Sequence, residues 1–153
     1  MLKLSVFTVM LPDLTPEEAA AALSASGYQG VEWRVTTVPP ERRSESPSFW
    51  GNNLCPLEPS LDQAARARQI AQSAGLEINS LGTYIEVGDL VAVENAMHFA
   101  RACGSPAIRV NPGRWPDPGG LTYAQSFERA QAFMGEVQAL GQRYGIKSVV
   151  ETH

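Results

Sequence analysis

Four stretches of the chain share one pattern of polar and apolar positions: LSASGYQGVEW, AQSAGLEINSL, ARACGSPAIRV and GQRYGIKSVVE. Each reads as the last turn of a helix, a glycine, then a short apolar strand. The glycines are Gly27, Gly75, Gly104 and Gly145. Glycine suits the left-handed position just past a helix C-terminus, where a Cβ would clash. The helix starts are equally legible. Thr15-Pro16-Glu17-Glu18 is a capping box with proline at the first helical position, and Ser60 with Gln63 and Thr122 with Gln125 repeat the box. Asp89 can cap a further helix. Apolar stripes follow at helical spacing: Leu90, Val93, Met97 and Ala100 in one segment, and Phe127, Ala130, Met134, Val137 and Tyr144 in another.

The pattern predicts strand 2–8, helix 16–26, strand 30–35, helix 60–74, strand 77–82, helix 89–103, strand 106–111, helix 122–144 and strand 147–152. Strict alternation of helices with short apolar strands argues for a parallel sheet joined by right-handed crossovers. The first strand is followed by TVMLPDLTP rather than a Gly-rich phosphate loop, which weakens a dinucleotide-binding reading. Five strands and four helices are too few for an eight-unit barrel of about 250 residues. A five-stranded open sheet would normally carry a fifth helix after its last strand. The expectation is therefore one α/β domain over residues 1–153 that forms part of a larger parallel structure.

In a parallel sheet covered on both faces, charge within a strand is costly, so its position is informative. Here the polar residues gather at the C-terminal ends of the strands. VEWRV puts Glu32 and Arg34 on one face, AIRVN does the same with Arg109 and Asn111, and VVETH with Glu151 and His153. Strand three ends in Gly82-Thr83-Tyr84, and strand one in Thr8. One such pair is ordinary strand-end polarity. Three at the same end of three strands point to the edge where α/β folds bind ligands. Glu151 is the leading catalytic candidate, with Glu32, Arg34, Tyr84, Arg109 and His153 around it.

A long loop, 36–59, leaves strand two at that end. Its first half, PPERRSES, reads as solvated. Its second half, SFWGNN, sets Phe49 and Trp50 beside Asn52 and Asn53, a combination suited to covering a polyol ring while bonding its hydroxyls. Packing of Trp50 onto a neighbouring helix is the equal alternative. A carboxylate beside an imidazole suits Mg²⁺, Mn²⁺ or a similar ion better than a thiolate site does, yet one of each does not close a metal site. Such an ion lowers the barrier to proton abstraction next to a carbonyl.

Composition narrows the partners. A formal charge of -4 gives no electrostatic reason to expect nucleic acid or an anionic membrane. No apolar stretch approaches the roughly 20 residues that span a bilayer, and the N-terminus lacks a signal-peptide pattern, so the cytoplasm is the expected location. Cys55 and Cys103 have neither metal spacing nor a disulfide framework, and Cys103 reads as a small buried hydrophobe. His98 falls on the opposite side of its helix from the Leu90–Met97 stripe and reads as a surface residue.

The order and spacing of GYQGVEWR, FWGNN, AIRVNPG and VVETH resemble the sugar phosphate isomerase/epimerase family, the xylose-isomerase-like barrels, over the whole chain. The resemblance implies the N-terminal (βα)4β5 portion of a TIM (β/α)8 barrel, parallel strands inside and helices outside. It also implies that Glu151, in its E-T-H context, is a divalent-metal ligand (for Mn, Mg, Co or Zn) and an acid/base. The other usual ligands come from strands six, seven and eight of such barrels. The implied substrates are small keto sugars, inositol derivatives or hydroxypyruvate-like acids. Isomerase, epimerase and dehydratase chemistries remain open, and an apurinic-site endonuclease relative is disfavoured by charge. A catalytically silent half barrel that self-associates through its open strand edges is the alternative from a different class.

Overall fold

The structure is a computed structural model and describes residues 3–151. The elements run β1 (Ser5–Phe7), α1 (Pro16–Ala25), β2 (Gly30–Arg34), α2 (Leu61–Ser73), β3 (Glu77–Gly82), α3 (Leu90–Cys103), β4 (Ala107–Arg109), α4 (Tyr123–Tyr144) and β5 (Lys147–Val149). Short 3-10 turns lie at Thr8–Met10 and Pro40–Arg42. All nine expected elements are present. The strands, apart from β3, are shorter than the pattern predicts, because alternation of apolar residues continues past the last ladder hydrogen bond. His153 and Thr152 lie outside the described residues, as do Met1 and Leu2.

The sheet order is β1-β2-β3-β4-β5, and every neighbouring pair is parallel. A doubly wound sheet reverses its strand order at a switch point. This one advances by one strand at each step, as a barrel wall does. Each helix packs against the next along the wall. Between helices and sheet lies one apolar layer: Val31, Trp33, Leu81 and Ile108 from the strands meet Ala20, Ala67, Ile70, Val93, Met97 and Val137 from the helices. The opposite face of the sheet carries the polar strand-end residues.

The caps explain where the helices begin and stop. Thr15 accepts from the backbone of Glu18 while the Glu18 carboxylate accepts from Thr15, and Thr122 with Gln125 repeats that box. Ser60 makes only half of its expected box: it accepts from the Gln63 N–H, but the Gln63 side chain turns to Arg66 instead. Gly104 and Gly145 end α3 and α4 at φ of 84° and 69°, where a Cβ would strain the backbone. One stripe needs correction. Phe127, expected in the core, is 57% exposed, whereas Val137 is buried as expected, together with Phe133 and Gly141, which the stripe did not include. The first turns of α4 stack Phe127 on Tyr123 at the rim, whereas only the later turns reach the sheet. His98 is exposed, edge-on to Tyr144, as expected. No helix among the described residues is long and apolar enough to cross a membrane.

Candidate functional site

The parallel register aligns the C-terminal ends of the strands. Phe7 pairs with Glu32, Arg34 with Gly82, and Gly82 with Arg109. Two side-chain hydrogen bonds pin these ends together. The Arg34 N–H donates to the Thr8 hydroxyl at 2.9 Å, and the Thr83 hydroxyl donates to the Arg109 carbonyl.

Period-two alternation sends Phe7, Glu32, Arg34, Tyr84 and Arg109 to the face away from the helices, where they meet. Arg109 is 7% exposed. Its guanidinium lies over the Phe7 ring, 4.6 Å from the centroid, and 5.3 Å from that of Tyr84. It also forms an ion pair with Glu151, itself the more exposed partner. Arg34, 8% exposed, lies over the other part of the cluster, 5.1 Å from the Tyr84 centroid and 5.7 Å from that of Trp50. Both guanidinium groups thus lie against the Tyr84 ring, a contact that a planar delocalised cation favours.

Burial pushes the Glu32 carboxyl above the ordinary carboxylate range; Arg109 opposes this rise and the charge of Glu151 adds to it. Two carboxylates therefore flank one buried arginine. A half-buried carboxyl with a raised pKa is suited to hold or release a proton in general acid/base chemistry. Burial also pushes the thiols of Cys55 and Cys103 up to about 12 and about 11, which makes both poor nucleophiles.

The long loop is anchored more firmly than its composition suggests. Its end pairs with β2 through a Val35–Leu57 bridge, with Cys55 and Leu57 fully buried. Asn53 donates to the Val9 carbonyl and accepts from the Cys55 N–H, so its amide holds the loop to the strand ends. Asn52 donates to the Glu45 carbonyl within the loop. Trp50 is 66% exposed, edge-on to Tyr84 with ring centroids 6.4 Å apart. It packs on the strand-end cluster and not on a helix. The Phe49 carbonyl accepts from Arg34 at 2.7 Å and the Trp50 carbonyl from Arg42 at 2.5 Å.

The structure brings together Glu32, Arg34, Trp50, Tyr84, Arg109 and Glu151; Asn52 stands behind them in the loop, and His153 lies outside the described residues. Sequence reasoning missed Phe7 and the role of Gly82. A Cβ on Gly82 would lie 2.3 Å from the Phe7 ring and 3.1 Å from a Glu32 carboxylate oxygen. Glycine ending a strand next to Leu81 was the available signal, since glycine in a strand marks a close approach.

As a metal site this donor set is partial. Glu151 has the right chemistry for one ligand of a hard cation, but no group of three His, Cys, Asp or Glu side chains able to hold one exists among the described residues. A separate cavity of about 390 Å³ lies on the rim, between the loop after β4 and the first half of α4. It is lined by Trp115, Tyr123 and Phe127 and shares no residue with the cluster.

No protein-family model and no curated protein matches the sequence. Solved structures do match its fold. A xylose isomerase domain containing protein from Salmonella typhimurium superposes with a TM-score of 0.63 at 18% identity, covering 95% of this chain and 47% of that one. A sugar phosphate isomerase/epimerase from Parabacteroides distasonis gives 0.68 at 12% identity, covering 99% and 51%. The 3-keto-D-glucoside 4-epimerase YcjR from E. coli gives 0.67 at 10% identity, covering 98% and 56%. The chain spans about half the length of the structures it matches. Its fold is the N-terminal (βα)4β5 portion of a (β/α)8 barrel, similar to that of these xylose isomerase-like and sugar phosphate isomerase/epimerase structures.

Proposed function

We propose that this sequence supplies the first half of the active site of a divalent-metal-dependent isomerase or epimerase. Its substrate is a small keto sugar or related polyol, and its reaction is proton transfer at the carbon next to a carbonyl. The observation that carries this reading is the cluster of Glu32, Arg109 and Glu151 at the C-terminal ends of parallel strands. That edge of a (β/α)8 barrel is where its chemistry is done. The similar folds of a D-tagatose 3-epimerase-like protein and a D-allulose 3-epimerase from Methylomonas sp. support the same class.

In this proposal Glu151 offers one ligand to the metal and acts as an acid/base, and the further ligands come from outside the described residues. A bound divalent ion would polarise the carbonyl and lower the barrier to removing the neighbouring proton. Arg109 holds the Glu151 carboxylate in place and neutralises charge at the strand ends. Glu32, with its raised pKa, is suited to carry a proton. Trp50 and Tyr84 offer ring faces to the apolar side of a sugar, and the tip of loop 36–59 closes over it as a lid. The free, buried thiols of Cys55 and Cys103 suit a reducing cytoplasm.

The test follows solvent deuterium into a ketose at the carbon beside its carbonyl, with Mn²⁺ present. A full eight-stranded barrel carrying this sequence as its first half should catalyse the exchange, and Glu151→Gln should abolish it. A barrel that binds the ketose without any exchange would remove the reading. The 153-residue chain alone should give no turnover, since the described residues cannot complete a metal site. Turnover by the monomeric chain would overturn the division of the site.

A second reading has its own observation. Among the described residues β1 and β5 each pair on one side only, and Val149 and Val150 are exposed beside that edge. Open edges recruit other chains. Concentration-dependent dimerisation with no gain of activity would favour a self-associating half barrel.

A further inference from the structure

The long loop is a stiff tip carried on fixed feet. In the tip, residues 45–52, a bridge joins Pro47 to Asn52, and the Ser48 N–H donates to the Asn52 carbonyl at 3.0 Å. The Gly51 N–H donates to the Ser48 hydroxyl at 3.0 Å, and the Asn52 amide to the Glu45 carbonyl at 2.8 Å. These bonds close the tip on itself. The feet are held elsewhere. The Thr36 N–H donates to the Leu57 carbonyl at 3.1 Å, and the Leu57 N–H to the Arg34 carbonyl at 2.9 Å. The Leu54 N–H donates to the Pro12 carbonyl at 2.8 Å, and Glu58 accepts from Thr37 and pairs with Arg43.

Among the described residues one hydrogen bond joins this tip to a strand. Arg34 Nη1 donates to the Phe49 carbonyl at 2.7 Å. The same guanidinium lies 5.7 Å from the ring centroid of Trp50, the next residue of the tip, and 5.1 Å from that of Tyr84. One side chain, 8% exposed, therefore grips two consecutive tip residues, by a charge-assisted hydrogen bond and by a cation–ring contact. Both interactions gain strength away from water. Arg42 also bonds the tip, at the Trp50 carbonyl, but Arg42 belongs to the loop and does not tie it to the sheet. Arginine suits the double grip, because its fork can reach a carbonyl while its plane stays against rings. Lysine offers the charge without the plane.

We propose that Arg34 is a positioning residue, the latch that seats the tip of loop 36–59 and so sets Trp50 over the strand ends. With the latch made, Trp50 stands edge-on to Tyr84 and the tip covers that side of the cluster. With it broken, the feet keep the loop on the barrel while the tip swings clear. This deepens the proposed function and rests on it for what the lid covers, whereas the latch itself operates in the chain without sugar.

The test follows opening of the tip in the sugar-free chain. Chymotryptic cleavage after Phe49 or Trp50 needs the tip released from its seat, so at limiting protease its rate tracks the open population. Arg34→Met should speed this cleavage about ten- to a hundredfold, as loss of one hydrogen bond from a charged donor predicts. It should also remove the nuclear Overhauser contact between the Trp50 indole and the Tyr84 ring. Arg34→Lys, which restores the charge and a donor, should recover part of the protection. Amide exchange in β2 and α2 should be unaltered in both variants, which separates a latch from general loosening. Unchanged cleavage and ring contact in Arg34→Met, or faster exchange throughout the chain, overturns the latch. If Arg34→Met fails to fold, the wild type carries the test. Relaxation dispersion at Arg34 Nε and at the Trp50 indole should then report one shared opening rate, and separate rates, or exchange at neither, overturn it. None of these readings uses a sugar, so a barrel that gives no deuterium exchange removes the isomerase reading and leaves the latch standing.

Discussion

Gly82→Ala tests the packing on which the site is built. Gly82 sits on β3 between Arg34 and Arg109, with the Phe7 ring reaching over it from β1. An added Cβ would lie 2.3 and 2.6 Å from two ring carbons of Phe7. Carbon atoms pack at about 3.5–4.0 Å, so the ring has to move by about an ångström. That ring also carries Arg109, and the Glu32 carboxylate is the third neighbour of the new methyl group. Forcing an extra methyl group into a packed site costs about 1–3 kcal/mol. Gly82 does not have a left-handed φ, so alanine adds no backbone strain, and the loss of unfolded-state freedom returns about 0.4–1 kcal/mol. The net destabilisation should be roughly 1–2 kcal/mol. Urea unfolding followed by tryptophan fluorescence and far-UV circular dichroism measures it, in the wild type and in Phe7→Ala. With the ring gone, Gly82→Ala should be neutral or slightly stabilising, and the coupling energy between the two sites should be about 1–3 kcal/mol, the steric cost itself. The same cost in both backgrounds, or none in either, would refute the placement of Phe7 across the sheet.

Three further outcomes follow from the same geometry. Burial raises the folded pKa of Glu32 above its ordinary 4.5, so the folded protein keeps this proton to higher pH than the unfolded chain. The contribution is present below the unfolded value and lost as pH rises through the folded one, so the stability of Glu32→Gln relative to wild type should increase as pH rises from the unfolded value through the higher folded one; a pH-independent difference would contradict it. Cys55 and Cys103 should resist a thiol reagent at about pH 8 in the native protein and react in urea, and fast native labelling would show that they are accessible. Arg42→Ala removes a hydrogen bond to the Trp50 carbonyl, and should speed chymotryptic cleavage after Phe49 or Trp50 a few-fold with the global unfolding midpoint unchanged. An unaltered cleavage rate would mean that Arg42 does not restrain the tip.

Local chemistry made most of the wall legible. Thr15, Asp89 and Thr122 cap helices as their side chains suggest, and the αL glycines after α3 and α4 fall where the repeated pattern puts them. Alternation placed Glu32, Arg34 and Arg109 on one face because strand period is a backbone property. What it could not show was which arginine pairs with Glu151, since that depends on register between strands distant in sequence. Phe7 and Gly82 escaped for the same reason: their contact crosses β2. Phe127 misled because helical period reports a face without saying what covers it. Asn52 and Trp50 sit in one motif but face different partners, and only the folded loop separates them.

The account stands most directly on Mn²⁺ reporting its own position. Added at substoichiometric amounts to the ¹⁵N-labelled chain, a paramagnetic ion broadens nearby amide signals even when it binds weakly. The broadening should centre on Glu151 and extend to Arg109 and Glu32, and Glu151→Gln should remove it. Broadening centred on other acidic residues, or unchanged by Glu151→Gln, would contradict the assignment of the strand ends as a metal-dependent sugar site.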